Sequence, residues 1–100
     1  GDLGGLTIAL EAYRRSLGGQ PAPVIDGFSG EQRFFMGWAQ AWRQKYREAD
    51  LLQRVKTDPH SPNEFRCNGV VVNVPGFYEA FGVKEGDRLW LPPEQRVSIW

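Results

Sequence analysis

The chain has one cysteine and one histidine in 100 residues. With Cys67 alone, no internal disulfide and no paired-thiolate metal site can form. With His60 alone, no zinc site of the ordinary multi-histidine type can be completed from these residues. Net charge of one sign is also missing: Lys+Arg and Asp+Glu number 12 each. Phosphate binding needs a concentrated positive face, so the balance argues against nucleic acid and against a polybasic membrane contact. No apolar run approaches the roughly 20 residues that span a bilayer. There is no glycine-rich phosphate loop, no His-Glu-x-x-His and no nominated Ser-His-Asp set. Repeats and low-complexity stretches are absent as well.

Aromatic side chains are abundant: four Trp, three Tyr and six Phe imply a core of large flat groups. Leu3, Leu6, Leu10, Tyr13 and Leu17 recur at three and four residues, the period of one helix face. Gly18-Gly19, Pro21 and Pro23 end that helix, and 18–28 reads as a surface loop. Ser29-Gly30-Glu31-Gln32 is a capping box. It opens a second helix whose apolar face is predicted to run through Phe34, Phe35, Trp38, Ala39, Trp42 and Tyr46. A third helical stretch, about Arg47 to Lys56, carries Leu51, Leu52 and Val55. Pro75 and Gly82 bracket a short helix with Phe77, Tyr78 and Phe81. Gly69 to Val74 stays ambiguous, because three valines favour a strand while no second strand exists to pair with it. The fold class is mainly α.

The chemistry concentrates in Thr57–Arg66. His60 lies between Pro59 and Pro62, which restrict the backbone and aim its ring. Imidazole is the side chain suited to proton-linked work near neutral pH. Asp58 is placed to accept a ring N–H, or simply to start a turn ahead of Pro59. Arg66 offers a forked donor for a carbonyl or carboxylate, or covers apolar surface. Asp2 sits where a negative charge favours a helix start. Trp38 and Trp42, at i and i+4, read as core, and Cys67 as a small buried hydrophobe.

In order along the chain stand Asp2-Leu3-Gly4-Gly5-Leu6, Phe34-Phe35-x-x-Trp38-Ala39-Gln40-x-Trp42, Thr57-Asp58-x-His60-Ser61-Pro62-x-x-Phe65-Arg66, Phe77-x-x-Ala80-Phe81 and a terminal Trp100. This series resembles the C-terminal end of the neprilysin-like zinc endopeptidases, the group holding neprilysin, the endothelin-converting enzymes and bacterial PepO. The resemblance implies the helical C-terminal part of a thermolysin-like (zincin) catalytic lobe. It therefore favours helix for Phe65 to Val74. Animal members carry disulfide cysteines near the positions of Arg43, Gly82 or Val83, and Val97 here, so their absence resembles the bacterial branch.

Roles follow from the resemblance. Asp2 matches the aspartate closing a Glu-Asn-x-x-Asp motif, where it orients a zinc-bound histidine; the glutamate ligand would then precede Gly1. His60 matches the histidine that stabilises the tetrahedral oxyanion, with Asp58 orienting it. Arg66 matches the arginine that binds a backbone carbonyl of the peptide substrate. Asn63 and Glu64 receive no role. The expectation is a fragment of a metalloendopeptidase catalytic domain: helix 1–17, helical pair 29–56, oxyanion and substrate loop 57–66, and C-terminal helices and tail 67–100. Zinc belongs to the parent, with none expected in this fragment, which alone should be inactive. Expected partners are a peptide substrate and the remainder of the parent domain. Self-association of the fragment is also expected, through Leu3, Leu6 and Leu10, which would face absent zinc-binding helices. By resemblance the parent is periplasmic or otherwise extracytoplasmic. A free-standing helical module that binds peptides or proteins without catalysis is the alternative.

Overall fold

The computed structural model describes residues 1–99, so Trp100 and its place in the motif series lie outside the described residues. The α-helices are α1 (Asp2–Ser16), α2 (Gly30–Ala41), α3 (Glu48–Thr57), α4 (Asn63–Val71) and α5 (Pro75–Phe81), and a 3-10 turn covers Pro93–Gln95. The architecture is mainly helical, and no strand occurs among the described residues. No helix is long and apolar enough to cross a membrane among those residues.

The core is assembled from one or two side chains per element: Leu6 and Leu10 of α1, Phe35 of α2, Val71 of α4, Val74, and Phe77 of α5. Phe35 is its hub. Its ring meets Phe77 edge-on at 5.8 Å and Phe34 at 5.2 Å, geometries that add to simple burial. The expected capping box forms at the start of α2: Gln32 N–H donates to Ser29 Oγ, and Ser29 N–H donates to Gln32 Oε1. Gln32 Nε2 then donates to the Ala80 carbonyl at 2.8 Å, so the cap that starts α2 also fastens it to α5. At the other end, Tyr78 Oη donates to the Val72 carbonyl and accepts from Leu91 N–H. Arg96 lies 3.8 Å over the Tyr78 ring and donates to the Leu91 carbonyl, holding the tail against α5.

Three sequence expectations are corrected. Leu6 and Leu10 are only 3% and 4% exposed, closed inside this chain's own core instead of facing outward. The exposed large apolar residue of α1 is Ile8, so a self-association surface built on those leucines is not there. The second helix stops at Ala41, and Tyr46 is off its face. Its ladder tightens there to bonds three residues back, Trp42 N–H to the Ala39 carbonyl and Arg43 N–H to the Gln40 carbonyl, both at 3.2 Å. The Trp42 carbonyl, just past that end, accepts from the Asn63 side chain at 3.3 Å. The predicted loop 57–66 also ends early. Its last four residues form the first turn of α4, and the valine run that suggested a strand is the end of that helix, where Val71 packs into the core.

Helix α3 is different in kind. None of its residues is buried, and Leu52 and Val55 are exposed. Its C-terminal end leads directly into Asp58 and His60.

Two glycines of α2 predict opposite effects. A Cβ on Gly30 would run into Tyr13 Oη and the Ala22 methyl, whereas one on exposed Gly37 meets nothing. Gly30→Ala should destabilise by about 1–3 kcal/mol through overpacking. Gly37→Ala should stabilise by about 0.5–1 kcal/mol through helix propensity. Urea unfolding midpoints of the two variants, measured side by side, check both signs.

Candidate active site

The site begins with a local rule and ends with a long-range one. Asp58 caps the end of α3 in an extended conformation, releasing its side chain toward the residues that follow. Its Oδ1 accepts from the backbone N–H of His60 at 2.9 Å, an Asx-type turn that the flanking prolines reinforce. The same oxygen lies 3.1 Å from His60 Nδ1. An ionised carboxylate can only accept, so Nδ1 carries the hydrogen in this contact. The two bonds from His60 hold the Asp58 carboxyl below its usual range, the backbone one most strongly. Arg54, one helical turn earlier, brings its Nη2 to 3.6 Å from Asp58 Oδ2. The imidazole itself is largely exposed, and its Nε2 bonds no described residue.

Arg66 stands one turn into α4, whose first turn closes through bonds from Phe65 and Arg66 N–H to the Pro62 carbonyl. Packing of α4 on α1 sets the guanidinium beside Asp2, at the opposite end of the sequence. The pair is bidentate: Nε to Oδ2 at 2.7 Å and Nη2 to Oδ1 at 2.9 Å. Both side chains are less than a third exposed, at 26% and 29%. Such a fork is among the stronger polar contacts a protein makes. The hydrogen bond from Arg66 lowers the Asp2 carboxyl pKa against a smaller opposing effect of burial, and Asp2 in turn raises that of the guanidinium. Nη1 of Arg66 bonds no described residue.

The four predicted residues thus form two couples, Asp58 with His60 and Asp2 with Arg66. Three of them, Asp58, His60 and Arg66, line one depression of about 20 Å³ together with Tyr46, Leu51, Arg54 and Asn63. That volume suits about one water-sized group. The Asp2–Arg66 couple adds a contact that the sequence did not suggest.

Sequence reasoning missed Arg54, Trp42 and Asn63 as neighbours of the site. Arg54 was findable, because its spacing of four from Asp58 is the helical pairing distance. Trp42 and Asn63 gave no such signal. Cys67 matches its inert reading, since burial pushes its thiol pKa up. No three His, Cys, Asp or Glu side chains converge to hold a metal among the described residues. These residues therefore do not fit a zinc site by themselves.

The Asp2–Arg66 couple makes stability depend on acid. A carboxyl with a lowered folded pKa contributes stability that is fully present above its ordinary value of 3.8 and is lost as pH falls through the depressed folded value. The difference in Tm between wild type and Asp2→Asn should accordingly be widest above about pH 5 and close as pH drops toward 2. A constant gap across that range would show that Asp2 contributes through something other than its charge.

Comparison with known proteins places this geometry in context. The family model described as peptidase family M13 matches residues 1–97. Membrane metallo-endopeptidase-like 1 of Mus musculus is 40% identical over 99% of this chain and 13% of its own length. The neutral endopeptidase of Lactococcus lactis is 34% identical over 99% of this chain and 14% of its own. The crystal structure of Mycobacterium tuberculosis zinc metalloprotease Zmp1 in complex with inhibitor superposes with a TM-score of 0.96 at 64% identity, covering 99% of this chain and 15% of that one. The chain spans about a seventh of the length of these relatives. A match across 97 of its residues, with two couples assembled from the same motif series, means that the chain belongs to peptidase family M13.

Proposed function

We propose that this chain is the part of a zinc metalloendopeptidase that stabilises the oxyanion and grips the substrate backbone during hydrolysis of small or medium peptides. The observation that carries the reading is the meeting, at one depression, of a histidine held by Asp58 and an arginine with one terminal nitrogen free. With Nδ1–H given to Asp58, His60 donates outward through Nε2 when both ring nitrogens carry hydrogens. A donor aimed at an oxygen that becomes negative only in the tetrahedral state stabilises the transition state over the ground state. Arg66, its Nε and Nη2 occupied by Asp2, has Nη1 left to donate to a carbonyl already present in bound peptide.

The printed names of the relatives, two endopeptidases and a zinc metalloprotease, support peptide substrates and a zinc-bearing parent. Zinc, when bound in such a parent, supplies an activated water and polarises the scissile carbonyl. Within this chain Asp2 is proposed to orient a zinc-bound histidine of the parent in addition to its bond with Arg66. The extracytoplasmic placement belongs to the same proposal. No observation favours the alternative of a non-catalytic binding module.

In the parent enzyme, His60→Ala should lower kcat by about a hundredfold or more with KM little changed. Arg66→Ala should raise KM by about tenfold, more than it lowers kcat. Steady-state kinetics on a short peptide decide the matter: wild-type kcat in His60→Ala would reduce the loop to scaffold. The isolated 100-residue chain should show no stoichiometric, submicromolar zinc binding by calorimetric titration.

A further inference from the structure

The geometry points to Trp42 as a positioning residue that holds the Arg66 guanidinium for substrate, an inference that rests on the substrate-gripping role proposed above for Arg66. Arg66 is held in two ways. Asp2 takes its Nε and Nη2 at 2.7 and 2.9 Å. The guanidinium carbon also lies over the Trp42 ring, 4.1 Å from its centroid. An edge-on carboxylate fork alone leaves the planar group free to rock about the line joining the two carboxylate oxygens. A ring packed 4.1 Å from the guanidinium carbon restricts that motion, and indole is the aromatic surface that attracts a cation most strongly. Together they leave Nη1 without a hydrogen-bond partner among the described residues.

The ring is itself fixed. Trp38 meets Trp42 edge-on at 5.3 Å. The Trp42 carbonyl accepts from Asn63 Nδ2, whose other contact is Gln44 Oε1 at 3.0 Å. Asn63 opens the same helix that carries Arg66, so one side chain joins the end of α2 to the first turn of α4. Asn63, which received no role from the sequence, thus ties the backbone at Trp42 to the helix that carries Arg66. A residue that only filled space would have no need to present its face to this cation.

The test uses the full-length parent enzyme and a short peptide substrate. Trp42→Leu should raise KM about three- to tenfold with kcat changed much less, within the range of a cation–ring contact and no more than the loss expected for Arg66→Ala. Trp42→Tyr should recover part of the loss. In an Arg66→Ala background Trp42→Leu should add no more than about twofold, because the group it holds is gone. Should Trp42→Leu fail to fold, fluorinated tryptophans placed at position 42 alone keep the volume and weaken the ring's attraction for a cation, so KM should climb with the number of fluorines. An unchanged KM in the ring variants, a flat fluorination series, or an undiminished Trp42 effect without Arg66 would each overturn the inference. If Arg66→Ala itself leaves KM unchanged, the role proposed for Arg66 falls and this inference falls with it. If Arg66→Ala raises KM while the Trp42 series stays flat, only the inference about Trp42 fails.

Discussion

The bond between Asp2 and Arg66 joins the second residue of the chain to the first turn of α4, and the arrangement of the site depends on it. Two parallel charge-assisted bonds fix orientation as well as distance, which a single contact cannot do. Because both groups are less than a third exposed, water competes for them less than at an open surface. Their alignment sets the start of α1 against α4 on the polar side, while Leu6, Leu10 and Val71 close the same region on the apolar side. Charge and core thereby specify one register between two helices that are far apart in sequence.

The second couple follows a different logic. Asp58 and His60 are two residues apart, and their bonds need only a turn and two prolines. That segment sits at the end of α3, a helix with no buried residue, so little of the core's rigidity reaches it directly. Rigidity arrives instead through the polar bridge of Arg54 to Asp58 and through the arginine ring contacts, Arg54 over Tyr46 and Arg66 over Trp42. The imidazole stays exposed on this loop, which the donor role proposed for it requires.

Much of the fold was legible because it is local. The face of Leu3, Leu6 and Leu10, the capping box at Ser29, and the Pro75–Gly82 bracket each follow from rules spanning four to eight residues. The Asp58–His60 contact was legible for the same reason. The tie of Asn63 to the Trp42 carbonyl just past the end of α2 was not, because the two lie 21 positions apart. The valines at 70–72 left strand and helix open on propensity alone, and the helix favoured by the motif resemblance agrees with α4, whose Val71 is buried in a helical core.

By itself the sequence determined the helical periods, the helix ends marked by Ser29, Pro75 and Gly82, the aimed histidine, and the motif order that marks the family. These depend on backbone sterics and on hydrogen bonds within a turn or two, which neighbouring residues settle among themselves. Only the tertiary structure decided that α1 keeps Leu6 and Leu10 for this chain's own core, that Asp2 closes on Arg66, and that Trp42 lies over the same guanidinium. Each of those joins groups from distant parts of the chain. Sequence spacing carries no information about such pairs until helix packing has brought them within a few ångströms.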